Sequence, residues 1–214
     1  MPYLETADVL RHDCAGPGLH ELELSAPQTA AVAAPGQFVH MHVRPVWFGR
    51  QQSSAQAQPL LRRPFSISDA DSNASGSITI LYKVRGAGTQ LLANARPGDR
   101  LDVMGPLGIG FTLPEPPSRP QSQPESQPES QPELRPWRQP TARSPHSLLV
   151  GGGVGIAPLV FLAHALARAG HRVTVFYGAD TAGDMQSALR RLQASGAGSI
   201  RVFTTTLDGS AGLA

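Results

Sequence analysis

A cluster of glycines between two apolar segments is the first feature of this 214-residue chain that could bind a ligand. Four glycines follow a strand-like apolar run in the stretch SLLVGGGVGIAPL: Gly151, Gly152, Gly153 and Gly155. Glycine lets the backbone approach a ligand closely, and Pro158 suits the first turn of a helix whose free N–H groups would face an anion. The pattern predicts a phosphate-binding turn. Because Ile156 replaces the third glycine of the dinucleotide fingerprint G-x-G-x-x-G, a purely structural tight turn stays open as the alternative.

An arginine doublet in LRRPFSISDAD is the second candidate. The guanidinium of Arg63 presents a planar fork of donors that matches a diphosphate. Pro64 restricts the local backbone and so holds Phe65 and Ser66 at defined positions. Read alone, the same residues would also suit an edge strand that carries a surface arginine pair.

A third candidate lies in LYKVRGAGTQLL, where a strand runs into Gly86 and Gly88. The pattern predicts a helix that begins near Gly88 with Thr89 as its N-cap, and the start of that helix would be a second anion-binding site. Two such sites and one arginine element suggest two different nucleotides that face each other.

A proline-rich segment separates the elements that must position these motifs. Ten of the chain's twenty prolines fall between Leu113 and Pro145, and the tetrapeptide SQPE occurs three times there, so this segment should be an extended linker. Before it, apolar residues alternate with polar ones, which predicts a small all-β barrel or sandwich over residues 1–112. Of the two we expect an antiparallel β-barrel, as the first domain of a two-domain fold. After it, strands alternate with helices, which predicts an α/β parallel-sheet nucleotide-binding domain over residues 146–214.

The individual elements follow from the same periodicity. The predicted barrel strands span residues 20–26, 37–43, 77–84 and 99–105, with a helix over 88–95 and a polar surface loop over 49–58. The predicted α/β elements are a strand at 148–150, a helix from Pro158 to Gly170, a strand at 172–179, a helix at 185–194 and a strand at 199–206. Asp180 directly follows the second of these strands, where a carboxylate would accept a hydrogen bond from a ribose 2′-OH and favour NAD over NADP.

Composition argues against several classes of protein. The formal charge of +2 comes from scattered arginines without a basic stripe, so no nucleic-acid partner is expected. The longest apolar run is too short for a membrane helix, and the first residues lack a signal-peptide pattern, so we expect no membrane association and a cytoplasmic protein. Cys14 is the single cysteine and permits no internal disulfide. His40 and His42 share a strand face but have no third ligand nearby in sequence, so no metal site is expected.

The motifs RPFS, LYKVRGAGT, GPLGIGF, VGGGVGIAPL and LDGSAG follow one another along the chain. In this order they resemble the ferredoxin-reductase superfamily and, more closely, its electron-transfer subunits of class B dihydroorotate dehydrogenase. The resemblance covers nearly the whole chain outside the two polar insertions.

The resemblance implies FAD on the barrel and NAD on the α/β domain. Arg63 would pair with the FAD diphosphate, and Ser66, held by Pro64 and Phe65, would hydrogen-bond near the reactive edge of the isoalloxazine. Gly88 and Thr89 would cap the diphosphate. The resemblance also implies contacts with the flavin or ribityl chain from three consecutive residues: Leu81, Tyr82 and Lys83. The glycine-rich turn, Pro158 and Asp180 would belong to the NAD site.

The implied function is electron transfer between NAD(H) and an FMN-containing dihydroorotate dehydrogenase catalytic subunit, in pyrimidine biosynthesis. A stand-alone NAD(P)H-flavin or oxygenase reductase is an alternative, and a non-catalytic, degenerate fragment is another. The family also carries a [2Fe–2S] centre held by four cysteines, whereas this chain has Cys14 alone. We therefore expect either a C-terminally truncated chain or a reductase without its own cluster, and the incomplete sheet favours truncation.

Overall fold

The computed structural model describes residues 1–43, 61–73, 75–114, 145–194 and 199–212. The barrel elements are β1 (Tyr3–Gly16), β2 (Leu19–Ser25), α1 (Pro27–Val32), β3 (Phe38–His42), β4 (Arg63–Asp71), β5 (Ser77–Lys83), α2 (Ala87–Leu92) and β6 (Arg100–Leu107). The later elements are β7 (His146–Gly152), α3 (Ala157–Arg168), β8 (Arg172–Ala179), α4 (Gln186–Ala194) and β9 (Ile200–Thr206). The polar loop predicted at 49–58 and residues 115–144 of the proline-rich segment lie outside the described residues.

Six strands within the described ranges close an antiparallel barrel in the order β1-β2-β5-β4-β3-β6. Leu22 and Leu24 of β2 pair with Ile80 and Ile78 of β5, and all four side chains are fully buried in the barrel core. Burial of each such side chain stabilises the fold by about 1.5–3 kcal/mol. The barrel predicted from the alternating apolar residues is confirmed.

The first strand, β1, has no counterpart among the predicted segments. Its pairing with β2 is interrupted by bulges between Val9 and Arg11 and between Cys14 and Gly16. A bulge places an extra residue in one strand and so shifts the alternation of inward and outward side chains. The period-two pattern is therefore broken in the sequence even though Ala7, Val9 and Ala15 are buried.

The second sheet is parallel, with the order β7-β8-β9. The predicted sequence of strand, glycine turn and helix is confirmed: α3 carries Pro158 in its first turn and ends just before Gly170, which has a φ of +85°. Helices α3 and α4 share one apolar core with buried Val175 and Tyr177 of β8. None of the helices in the described ranges has the length and apolar character that a membrane span requires.

Helix α3 also connects the two cores. Phe161 on α3 belongs to the core of the barrel, whereas Val160 belongs to the core of the parallel sheet. From the opposite side, Leu19 and Leu81 of the barrel are buried in the core of the parallel sheet. Barrel and sheet therefore share a buried surface, and residues of β4 and β5 lie next to the nucleotide-type βαβ unit.

Candidate functional site

The arginine doublet and the first turn of α2 converge at one end of the barrel. Because β4 and β5 are antiparallel, Arg63 at the start of β4 lies near the end of β5, from which the chain enters α2. A Cβ placed on Gly88 would lie 3.6 Å from Arg63 Nε, an ordinary van der Waals distance, so the arginine side chain lies directly beside this glycine. Two residues that the sequence predicted for one diphosphate are thus brought together.

The two arginines of the doublet have different surroundings. Arg62 forms a bidentate pair with Asp102, whose oxygens lie 2.9 and 2.7 Å from its two terminal nitrogens. Within the described part of the chain, the side chain of Arg63 has neither a hydrogen-bond partner nor a counter-ion. Arg63 is therefore the member of the doublet whose donors are available to an anion.

The helix prediction at this site needs one correction. Helix α2 starts at Ala87 and ends at Leu92, and its N-cap is Gly86 rather than Thr89. Thr89 Oγ1 instead reaches back from the first turn and accepts the backbone N–H groups of Arg85 and Gly86, at 2.9 and 3.2 Å. Thr89 thus makes the half of a capping box in which the third helical residue accepts the N–H of the cap, while glycine has no side chain to make the other half.

The other residues predicted for the flavin differ in burial. Phe65 and Tyr82 both lie in the barrel core, with their rings in an edge contact at 5.7 Å. The Tyr82 hydroxyl lies 3.0 Å from His12 Nε2, and burial raises the pKa of Tyr82 above its ordinary value. Ser66 is partly exposed, whereas Leu81 is buried against the parallel sheet. The partly exposed Ser66 is therefore more accessible to a ligand than these three.

A cavity of about 270 Å³ lies at the carboxyl ends of the parallel strands. Its lining residues come from the ends of all three strands: Gly152, Gly153, Gly178, Ala179, Asp180, Thr205, Thr206 and Leu207. Ligands of open α/β sheets bind at this edge. No ligand contact was predicted for Thr205, Thr206 or Leu207, although their position at the end of the third strand was a usable signal.

The glycines of the turn have separate roles. Gly153 adopts a φ of +51°, which favours glycine, and lines the cavity. A Cβ on Gly151 would lie 2.8 Å from the Ile156 side chain, so Gly151 permits close packing of the strand on the following turn. Gly155 and Pro158 are not among the residues that line the cavity. Gly152 and Gly153 are thus the glycines that a ligand in the cavity would meet.

Asp180 stands at the rim of the cavity and is bonded to both the barrel and a turn after β9. Its Oδ2 accepts a hydrogen bond from Lys83 Nζ at 3.0 Å, and its backbone carbonyl accepts one from the N–H of Asp208 at 3.3 Å. In the same turn, Ser210 donates its hydroxyl and its N–H to the Asp208 carboxylate, which lowers the pKa of Asp208. The LDGSAG motif therefore supports the segment that carries Asp180.

A buried cluster of polar side chains joins barrel and sheet elsewhere in the interface. We call it the interface cluster, and its members are Glu21, Asp69, His164, Ser187 and Arg191. Glu21 accepts hydrogen bonds from Ser187 and, at 2.6 Å, from Arg191, while Arg191 also lies 3.5 Å from Asp69. Buried His164 lies 3.5 Å from Asp69 and 3.1 Å from the Arg191 carbonyl.

Both carboxylates of the interface cluster are stabilised in their charged form. Burial by itself would raise the pKa of Glu21, but hydrogen bonds from Arg191 and Ser187 hold that pKa below its ordinary value. Burial acts in the same direction on Asp69, and the neighbouring His164 and Arg191 again lower the pKa overall. The cluster is therefore a set of mutually compensated charges between barrel and sheet.

Comparisons with solved structures define the class to which this fold belongs. The NADH-dependent reduced ferredoxin-NADP oxidoreductase superposes with a TM-score of 0.66 at 25% identity, over 97% of this chain and 58% of that one. A ferredoxin-NADP⁺ reductase from Plasmodium falciparum superposes with a TM-score of 0.62 at 13% identity, over 96% and 73%. No protein-family model matches the chain. The barrel followed by a parallel βαβ sheet is the fold of the ferredoxin reductases, and the chain belongs to the ferredoxin-reductase superfamily.

Within that superfamily the sequence is similar to curated proteins named dihydroorotate dehydrogenase B (NAD(+)), electron transfer subunit. The relative from Desulforamulus reducens is 36% identical over 173 residues, which are 81% of this chain and 52% of the relative. The relative from Geobacillus sp. is 36% identical over 177 residues, which are 83% and 55%. The relative from Streptococcus pneumoniae is 31% identical over 213 residues, which are 100% and 66%. The chain thus spans about half the length of the first two relatives.

Proposed function

We propose that the chain is the cofactor-binding part of an electron-transfer flavoprotein, with FAD on the barrel and NAD(H) at the cavity of the parallel sheet. The observation that carries the proposal is the position of Arg63. Its donors have no partner among the described residues, and its side chain lies against Gly88 at the first turn of α2. A cation beside a glycine-rich helix start matches the diphosphate of a dinucleotide.

The residues on the barrel fit FAD in charge and shape. Arg63 would pair with the diphosphate, and Gly88 with Thr89 would supply backbone donors beside it. Partly exposed Ser66 would hydrogen-bond the flavin. Pro64 and Phe65 would hold this element, and the strand from Leu81 to Lys83 would contact the flavin or ribityl chain through its backbone. Because Tyr82 and Leu81 are buried, their side chains support the strand and do not offer a ligand surface.

The lining of the cavity supports its assignment to a nicotinamide dinucleotide. Gly152 and Gly153 would let the diphosphate approach the backbone, with Gly151, Gly155 and Pro158 shaping the turn behind them. Asp180 would accept the adenosine ribose 2′-OH and repel a 2′-phosphate, so NAD is favoured over NADP. The threonines at the end of β9 add hydroxyl groups to the same wall.

When bound, FAD supplies the redox chemistry that exchanges electrons in pairs with a nicotinamide and singly with another carrier. The protein's own part is to bind and orient. Barrel and sheet hold their sites against each other through a shared core and the interface cluster. Fixed orientation of two reactants lowers the entropic part of a barrier, and this is the contribution that the chain's own residues would make.

By analogy with the named relatives, the partner would be a dihydroorotate dehydrogenase catalytic subunit with FMN, and the pathway pyrimidine biosynthesis. The [2Fe–2S] centre expected from the resemblance does not fit these 214 residues. Such a centre takes four ligands, usually thiolates, and Cys14 is the single cysteine. No group of three or more potential metal ligands is assembled in the described part of the chain.

Replacement of Arg63 tests the proposal. Arg63→Ala removes charge-assisted hydrogen bonds worth about 1.5–3 kcal/mol, so FAD affinity should fall tenfold or more. The matched control is Arg62→Ala, because Arg62 is committed to Asp102 and should leave FAD affinity within about twofold. Titration of the apoprotein with FAD, followed by flavin fluorescence, measures both. An Arg63→Ala affinity equal to that of the wild type would contradict the assignment.

A further inference from the structure

Lys83 extends from the barrel to the nucleotide side of the molecule. It is the only lysine of the chain and the last residue of β5. Its Nζ lies 3.0 Å from Asp180 Oδ2 and 3.9 Å from Asp184 Oδ1, both on the segment after β8. The Lys83 side chain is 20% exposed, so most of it is buried between barrel and sheet, while its bond to Asp180 lies at the exposed side of the interface.

The two carboxylates that face Lys83 differ in exposure. Asp184 is buried, and its Oδ2 accepts a hydrogen bond from the Thr181 hydroxyl at 3.1 Å. Its Oδ1 is buried without a hydrogen-bond partner, so Lys83 provides the compensating charge. The Asp180 side chain, in contrast, is 61% exposed at the rim of the cavity. Lys83 therefore joins a buried carboxylate to an exposed carboxylate at the rim of the cavity.

We propose that Lys83 is a positioning residue for the nicotinamide nucleotide, and that it acts by holding Asp180 ready for the adenosine ribose. This inference rests on the proposed function of the cavity as the NAD(H) site. Lys83 occupies Oδ2 of Asp180 and leaves Oδ1 for a ribose hydroxyl. A preorganised acceptor binds more tightly because its rotamer freedom is already lost before the ligand arrives.

The assignment separates the backbone of Lys83 from its side chain. The backbone belongs to the strand that leads to Gly88 on the flavin side, whereas the ammonium group belongs to the nucleotide side. Loss of the ammonium group should therefore weaken recognition of the adenosine half of NADH more than recognition of its nicotinamide half.

The experiment compares NADH with reduced nicotinamide mononucleotide, which lacks the adenosine ribose. In FAD-loaded Lys83→Met, the ratio of the KM for NADH to the KM for the mononucleotide should increase about tenfold over the wild-type ratio. Lys83→Arg, which keeps the positive charge, should restore most of that ratio. In an Asp180→Asn background, Lys83→Met should change the ratio less than twofold, because the residue through which it acts is already altered. If the methionine variant does not fold, Lys83→Gln carries the same test.

Equal increases in KM for both nucleotides would show that Lys83 is merely structural and would overturn the inference while leaving the proposed function intact. A Lys83→Met variant in which neither KM changes would likewise overturn the inference and leave the proposed function intact. A wild-type protein that binds neither FAD nor NADH would overturn the proposed function itself, and the inference with it.

Discussion

Two sets of ion pairs join barrel and sheet, and they differ in exposure. In the interface cluster the side chains of Glu21 and Arg191 are 8% and 20% exposed. In the Lys83 pair, Asp180 is 61% exposed and borders the cavity. Charges that are buried must be fully compensated, because a lone buried charge is costly, whereas an exposed carboxylate can exchange partners at little cost. The comparison indicates that the cluster holds the two halves of the molecule together, and it supports the proposal that the Lys83 pair serves ligand binding.

The largest expected effect comes from breaking the interface cluster. Arg191→Met removes the cation that Glu21 and Asp69 share, while Glu21 keeps its pair with Arg11 and Asp69 its contact with His164. Loss of one partner of a buried ion pair costs about 3–5 kcal/mol, and the remaining partners place the expected cost at the lower end of that range. We expect the free energy of unfolding in urea to fall by about 3 kcal/mol. Arg190→Met is the matched control, because Arg190 is exposed, and it should stay within about 0.5 kcal/mol of the wild type. Equal stabilities of the two variants would refute the structural role of the cluster.

A second effect concerns the stability of the fold at acidic pH. The pKa values of Glu21 and Asp69 are lowered in the fold from ordinary values of 4.5 and 3.8. A lowered carboxylate pKa stabilises the fold above the unfolded pKa, and this contribution is lost as pH falls through the folded pKa. Below about pH 4.5, wild-type stability should therefore decline more steeply than that of Arg191→Met, while Arg190→Met should follow the wild type. Urea unfolding between pH 7 and pH 3 measures the slopes, and parallel slopes for all three proteins would be inconsistent with this account.

The smallest effect on stability is expected for the exposed ion pair of Lys83 and Asp180. Asp180→Ala should change the free energy of unfolding by less than about 0.5 kcal/mol, because exposed ion pairs contribute little. The same change should raise the KM for NADH about tenfold through loss of a charged hydrogen-bond acceptor. Asp8→Ala is the control, since Asp8 forms an exposed pair of the same 3.0 Å length with Arg100 on the barrel. If Asp180→Ala destabilised the protein as much as Arg191→Met does, the proposed division between the two sets of ion pairs would be wrong.

Most strands and helices could be predicted from the sequence because the patterns that indicate them are local. The alternation in β2 and β5 and the glycines before α3 each lie within a few residues of one another. The bulges of β1 interrupt its alternating pattern, so that strand was not predicted. The N-cap of α2 is Gly86, three residues before the expected Thr89. The prediction that Arg63 and Gly88 serve one site depended on motif order. The two residues lie side by side in the fold, and their role in binding one diphosphate stays a prediction.

The interface cluster could not be predicted from sequence patterns that span only a few residues. Glu21 and Arg191 are 170 residues apart in sequence, and each resembles an ordinary surface charge until the chain has folded. Lys83 was assigned to the flavin by its place in a motif, and only the packing of β5 against the segment after β8 showed its ammonium group beside Asp180. Long-range pairs of this kind depend on how α3 and α4 pack on the barrel.

The central claim is that one chain holds a flavin site and a nicotinamide site in the relative position that electron transfer between them requires. Its most direct measurement is an anaerobic titration of the FAD-loaded protein with NADH, followed by visible flavin absorbance. We expect the protein to retain FAD through gel filtration and its flavin absorbance to bleach as NADH is added, with NADPH much less effective. A protein that does not retain FAD, or whose bound flavin keeps its absorbance in excess NADH, would contradict the account.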